Sequence, residues 1–488
     1  MKDDRPFPTF AGIPSALLRA VKWLWRRTWR WIAGLLILAI LAHTVASIVT
    51  GREMERELGK LRAAGEPLTL AEAAPKPVPA SRNAAVLYQR AFERLPSDEQ
   101  AWQPVYDVLW GRPGARARLS RADVERFVAQ HREAIALLEQ AARMPECRFP
   151  VHWEAGFAAT FPHLAKVGGS ASLLATAAIV DARGGRTTEA ASAVEAALGT
   201  ADHIGVEPTS VSQLVRYRCQ ATALLALNRM MEIHRPDAAE SERMFNLLSR
   251  IDTIGPFIHG MKGERALGLW GFDFARRHPL PLSRLAGPYM FPGKGSTRAE
   301  RLASFLWRPL FNKDEVIYLR LMARQIRVCR LPYREARRGM PMPRPETMET
   351  RPPRTQLPRY AVITQMLLPV FDLAIAARDK ALAHIGLAQW GLAINVFQIR
   401  EGRWPKSLEE VRRTVAWKLA GDPFSGKDFI YRLEPLAQPR GKPQGYLLYS
   451  IGPNLRDDGG RSGVKEAQPG EKEVPDDLVW RVHWPGGS

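Results

Sequence analysis

Along most of this chain apolar residues recur every three or four positions, the spacing of helices with one buried face. One early stretch breaks that pattern. From Trp31 to Val49 there are 19 consecutive uncharged residues, among them Leu35, Leu36, Ile37, Leu38, Ile40, Leu41, Val45 and Ile48. A helix of that length spans ~28 Å, close to the hydrocarbon thickness of a bilayer. The next apolar run, Met366 to Ala377, is shorter and interrupted by Pro369 and Asp372. Trp23, Trp25, Trp29 and Trp31, interleaved with Lys22, Arg26, Arg27 and Arg30, make an aromatic and basic flank suited to a membrane interface. A cleaved signal peptide is the rival reading; a 30-residue leader and poor cleavage sites around His43 to Ser47 favour an uncleaved anchor.

Beyond the anchor the periodicity predicts a succession of helices. A charged helical stalk runs over Arg52 to Ala64, and a Pro/Ala-rich linker follows over Glu72 to Ala80. Ser120 and Asp123 have the spacing of a capping box, and Val124, Phe127, Val128, His131, Ile135 and Leu138 then share one face. Leu173 to Ala182 and Glu189 to Leu198 are Ala-rich and separated by Arg183-Gly184-Gly185-Arg186, which predicts a tight helical hairpin with Thr187 or Thr188 capping its second arm. Gln213 to Ile233 and Glu240 to Ile251 are expected as a second such pair, its second helix opened by Asp237 with Glu240 three residues on. These units are similar to tetratricopeptide-like hairpins without a strict 34-residue period. A basic helix is expected over Asp314 to Arg337, with Arg320, Arg324, Arg327, Arg330 and Arg334 along one side. A Pro-, Met- and Arg-rich stretch without periodicity follows.

The C-terminal part changes character. A long helix, about Thr364 to Glu401, stops at Gly402 before Trp404-Pro405. Asp422-Pro423-Phe424-Ser425-Gly426 is a turn, and Phe429 to Tyr431 and Gly445 to Ser450 alternate as two strands of a hairpin. Asn454, Asp457, Asp458, Gly459 and Gly460 come next, and Asp476-Asp477-Leu478-Val479-Trp480 closes the series. Taken in order over Ala388 to Trp480, these motifs resemble the periplasmic domain of the major pseudopilins of type II secretion. The resemblance implies that domain's α+β fold and a calcium site after the hairpin. Asp457, Asp458, Asp476 and Asp477 would supply its carboxylates, with oxygens from Asn454 and Leu455, since calcium takes several hard oxygens on a flexible loop. The chain departs from the family in lacking a prepilin leader and in carrying its anchor more than three hundred residues upstream of the helix. The family's polymerising activity therefore does not carry over.

Charge sharpens the topology more than the chemistry. The net charge is +20, of which +5 lies in residues 1–30 and +12 in residues 260–355, while residues 31–259 are balanced. The internal excess points to anionic lipid or an acidic partner, and no nucleic-acid motif accompanies it. Five Lys/Arg on the N-side of the span against four on its C-side place the N-terminus in the cytoplasm. The expected location is the inner, cytoplasmic membrane, single-pass, with the bulk on the periplasmic side. Cys147, Cys219 and Cys329 are too few and too scattered for a disulfide framework or a metal pair, and are expected as buried thiols.

No complete catalytic or cofactor signature is present: there is no P-loop, no G-x-S-x-G, no H-E-x-x-H and no Rossmann glycine motif. His152 and Glu154 near Cys147, and His259 with Glu264 and Arg265, are the ionisable groups worth locating. The expected organisation is a basic leader (1–30), transmembrane helix (31–50), stalk and linker (51–80), helical domain (81–337), Pro/Arg-rich linker (338–359) and α+β module (360–488). The fold class is thus mainly α: an N-terminal transmembrane helix, an α-hairpin bundle or short irregular solenoid, and a small C-terminal α+β pseudopilin-like module. The function expected is a membrane-anchored, non-enzymatic extracytoplasmic scaffold serving protein partners in secretion or envelope assembly. The alternative is an envelope-associated hydrolase with its site in the helical body.

Overall fold

The computed structural model describes residues 15–96, 98, 100–110, 120–277, 298–339, 357–367, 371–434, 445–463 and 474–483. Among them the chain is mainly helical with a small C-terminal sheet. The helices are α1 (Ser15–Ala63), α2 (Leu70–Ala73), α3 (Ala84–Phe92), α4 (Gln103–Trp110), α5 (Arg121–Gln130), α6 (Arg132–Ala142), α7 (Pro162–Arg183) and α8 (Thr187–His203). They continue as α9 (Ser210–Ile233), α10 (Ala238–Ser249), α11 (Ile254–Arg277), α12 (Arg298–Val328), α13 (Tyr333–Gly339), α14 (Val362–Leu367), α15 (Phe371–Glu401) and α16 (Leu408–Thr414). The sheet is β1 (Ile430–Glu434), β2 (Gly445–Ser450) and β3 (Leu478–His483), antiparallel in that order, with Tyr431 opposite Leu448 and Leu448 opposite Trp480.

The uncharged run and the charged stretch expected as a stalk are one helix. α1 runs 49 residues without a break, because no Pro or turn signal separates the apolar run from the charged stretch after it. Among the described residues three helices are long and apolar enough to cross a membrane, two more than the uninterrupted apolar runs predict. Cover separates them. The apolar windows of α7 and α15 are 83% and 78% buried in protein, whereas that of α1 has a mean hydropathy of 2.4 and is 0% buried. Apolar side chains sheathed by neighbouring helices are core; the same side chains left bare need another apolar medium.

The stalk half of α1 lies along α12, parallel to it. His43 meets Phe305, Thr50 meets Asn312 (3.3 Å), and Glu53 and Glu57 hold Arg320 at 2.7 and 3.0 Å. Part of the predicted arginine stripe is therefore already neutralised by the stalk. The predicted basic helix also begins earlier and breaks at Pro332, where α13 starts afresh.

α7, α8 and α9 make the centre of the body. The hairpin turn falls at Gly184 and Gly185 as expected, but the residue before α8 is Arg186, which offers no side-chain cap. Arg186 and Arg132 instead bind the buried carboxylate of Asp181. The capping box at Ser120 and Asp123 forms, and Asp237 caps α10. One expected helix is two: the backbone breaks at His131 (φ −107°, ψ 15°), whose ring stacks on Phe127 and whose Nδ1 lies 2.8 Å from the Phe127 carbonyl, the acceptor the break releases. All three cysteines are buried free thiols.

The C-terminal segment docks on this body. A single hydrophobic core runs from Ala84 through Trp390 to Val482. α15 packs against α9 and α10, with Arg235 donating to the Asn395 side chain at 2.8 Å. The sheet closes over α15 where a side chain at Gly391 would meet Trp480, its Cβ 2.5 Å from the indole nitrogen. Most of the expected 338–359 linker lies outside the described residues.

Candidate functional site

Two places gather chemistry. The first is the loop after β2. Ser450 Oγ donates to Asp422 Oδ1 (2.6 Å), and Asp422 also accepts from the amides of Phe424 and Ser425, so the turn and the strand end are tied together. Gly452, at φ 64°, then passes so close to the Asp476 carbonyl that a Cβ would sit 1.9 Å from its oxygen. The four carboxylates each find a different task. Asp457 Oδ1 accepts from Tyr449 Oη and the Gly459 amide, both at 2.9 Å. Asp458 Oδ2 accepts from Asn454 Nδ2 (2.7 Å) and the Asp476 amide (3.0 Å). Asp476 pairs with Lys380 on α15 at 3.1 Å.

Asp477 differs from the other three. It is fully buried, with Oδ2 accepting from the Gly460 amide at 2.7 Å and Oδ1 without a partner. Burial, aided by the nearby charges of Asp458 and Asp457, pushes its carboxyl up to about 6. Among the described residues no three His, Cys, Asp or Glu groups converge tightly enough to hold a metal ion. The four aspartates expected as one ligand set thus share a loop without forming a cage of carboxylates. Asp457 and Asp476 are committed to Tyr449 and Lys380. Asp477, with an orphaned buried oxygen and a like charge nearby, is the one that a cation would relieve.

The second place lies between α8, α9 and α11. The turn before α9 is a buried polar knot. His163 Nε2 lies 2.7 Å from Glu207 Oε1, Ser212 Oγ donates to Glu207 Oε2 (2.5 Å), and Gln213 Nε2 donates to the Gly205 and Glu207 carbonyls. The residue types are those of a hydrolytic triad, but the order is wrong. The carboxylate sits between the hydroxyl and the imidazole, so the imidazole does not reach the serine proton and the group reads as a structural staple. Next to it an open cleft of about 520 Å³ is lined by Asp202, Gly205, Val206, Arg216, Asp252, Gly255, Pro256 and His259. Arg216 is buried. Its Nη2 donates to Asp202 Oδ1 (2.9 Å) and the Asp252 carbonyl (2.7 Å), while Nε and Nη1 have no partner. Burial holds His259 below the ordinary histidine range and therefore neutral at pH 7.

The other singled-out residues do not join either place. His152 and Glu154 are exposed on the turn around Trp153, and Cys147 is buried away from solvent, its thiol pushed up to about 12 by burial. Glu264 accepts from the amide and hydroxyl of Ser210 at the start of α9, and Arg265 pairs with Glu66 at 2.9 Å. Sequence reasoning missed Arg216 and Asp202. Their only signal was a polar step of three and four residues, Gln213, Arg216 and Gln220, inside an otherwise buried helix. Compared with known family models, curated proteins and solved structures, the chain has no match.

Proposed function

We propose that this chain is a membrane-tethered, extracytoplasmic helical scaffold. α1 holds it in the inner membrane, its N-terminus is cytoplasmic, and its C-terminal α+β module is pseudopilin-like and contacts protein partners of an envelope or secretion assembly. The observation that carries the reading is the bare apolar half of α1, the most apolar of three long helices of which the other two, less apolar, are sheathed in protein. The long helix lying under a three-stranded antiparallel sheet, with Gly391 against Trp480, supports the pseudopilin-like part. Calcium would bind through Asp477 and Asp458 with backbone oxygens, leaving Asp457 and Asp476 to their present partners. The test is extraction of tagged full-length protein: it should resist alkaline carbonate, require detergent, and bring partners with it on affinity capture. Release into the carbonate supernatant would refute the tether.

The cleft at His259 supports a second reading, an envelope hydrolase in which neutral His259 or a carboxylate activates water. Its lining contains no Ser, Thr or Cys, so any attack would be by water rather than by a side-chain nucleophile. His259→Gln separates the two readings. Loss of a hydrolytic activity from purified protein would favour the enzyme, and unchanged partner capture the scaffold.

A further inference from the structure

α12 contains Pro309, and a proline has no amide hydrogen to give the carbonyl four residues before it. That carbonyl belongs to Phe305. The donor that meets it comes from α1: His43 Nε2 lies 2.9 Å from Phe305 O, with the two rings 4.7 Å apart. His43 is the one residue of the Trp31–Val49 run with an ionisable side chain, and here it answers a backbone acceptor left open on a neighbouring helix. In water an open carbonyl is solvated and needs no such partner. In hydrocarbon it has none unless the protein provides one.

The surroundings of Phe305 agree. Leu302, Phe305 and Leu306 are 60%, 53% and 56% exposed, and no part of the described protein covers them. They continue the bare apolar surface of α1, where Leu35, Leu38 and Leu41 are equally exposed. The two helices run parallel, so depth can be read across. Phe305 is level with His43, six residues or ~9 Å below Val49, which is the depth to which interfacial helices bury their apolar faces. Arg308, exposed and one turn nearer the body, is placed to reach the phosphates. Arg298 begins the helix and is also exposed. A charge carried down to the bilayer centre is strongly disfavoured, so the charged start of α12 limits this surface to a shallow contact and not a second span.

We propose that the N-terminal part of α12, around Leu302, Phe305 and Leu306, is a second membrane contact, a wedge set into the outer leaflet beside α1 and fastened there by the His43–Phe305 bond. The occupant of this surface is lipid. The proposal rests on α1 being the tether, and its test keeps the two apart.

The experiment uses full-length protein in phosphatidylcholine–phosphatidylglycerol vesicles. Single cysteines replace Phe305 (Phe305→Cys) or, as the tether control, Leu35 (Leu35→Cys), each labelled with a polarity-sensitive fluorophore; the native thiols are buried. Nitroxides are placed on lipid chains. The expected result is a blue shift and loss of fluorescence at both sites, with position 305 quenched most by shallow chain nitroxides and little by an aqueous quencher. Quenching at 35 with a water-exposed label at 305 overturns the wedge and leaves the tether standing. A label at 305 that is shielded from water yet untouched by lipid nitroxides also overturns it, since protein then covers the surface. A water-exposed label at both sites overturns wedge and tether together. As an independent arm, Pro309→Ala restores the missing donor, so His43→Leu should weaken lipid quenching at 305 less in that background than in the native one; an equal effect in both overturns the role given to His43.

Discussion

Arg378 and Asp379 on α15 are 1% and 0% exposed, and between them they close two helix ends. Arg378 Nε donates to Asp379 Oδ1 (2.6 Å), while Nη1 and Nη2 donate to the carbonyls of Cys329 and Leu331, just past the C-terminus of α12. Asp379 Oδ2 accepts from the Tyr333 amide at the first residue of α13. A cation thus sits at a helix C-terminus and an anion at a helix N-terminus, as the backbone dipoles favour. Arg378→Met keeps the volume and removes the charge, leaving two carbonyls and a buried carboxylate uncompensated. Breaking a buried pair in this way costs about 3–5 kcal/mol. Burial already raises the Asp379 carboxyl against the opposing pull of Arg378 and the Tyr333 amide. Without Arg378 it rises further. A raised acid binds its proton more readily when folded, so the deficit of the variant must shrink as pH falls through the folded value and be largest at neutral pH. The double variant Arg378→Met with Asp379→Leu should cost less than the two singles added, because it leaves no uncompensated charge and only neutral backbone groups unpaired. Denaturant titration of the detergent-solubilised protein, followed by tryptophan fluorescence across a pH series, measures all three. A single-variant cost under about 1 kcal/mol, a cost independent of pH, or strict additivity would refute the capping argument.

Three further outcomes follow from the same geometry. Gly391→Ala should destabilise by about 1–3 kcal/mol, because the ring it strikes is part of the core and cannot swing away; an unchanged midpoint would mean that β3 sits higher above α15 than described. Asp477→Asn should stabilise at neutral pH by about 1–2 kcal/mol, below the ~3 kcal/mol that a full two-unit displacement carries, because the carboxamide still leaves a buried polar atom unpaired. That gain disappears in acid, where Asp477 is protonated anyway, and added calcium should raise the melting temperature of the native protein but not of Asp477→Asn; a calcium response that survives the substitution removes Asp477 from the site. Arg216→Met should cost under about 1 kcal/mol, in contrast with Arg378→Met, since two of its nitrogens are unpaired already and its carboxylate partner Asp202 is solvated. A loss as large as that of Arg378→Met would show that those nitrogens are bonded through water.

The long apolar N-terminal helix, the Gly184-Gly185 hairpin, the capping box at Ser120 and the β1–β2 hairpin were legible because each is a local pattern: an uncharged run, a turn residue, a cap, a period of two. Breaks inside helices were less so. His131 continues the apolar stripe perfectly well, and only the competition of its ring for a backbone carbonyl splits the helix. The strand β3 was hidden because Leu478 to His483 is short and gains its pairing from β2, some thirty residues away in sequence. The aspartates of the C-terminal loop were found by residue type, yet their division of labour was not, since it depends on Lys380 and Tyr449 reaching them from other elements. The cleft at Arg216 lay beyond reach for the same reason: its groups come from three helices and converge only in space.

Because α1 passes from its bare apolar part to its charged part without a joint, the body is carried on that apolar part as on a fixed post. Each residue of a helix advances ~1.5 Å and turns ~100°. One residue inserted between Val49 and Arg52 would swing Glu53 and Glu57 a quarter-turn away from Arg320 while leaving the bare apolar part untouched. The standoff and facing of the body relative to that apolar part are thereby written into the register of a single helix.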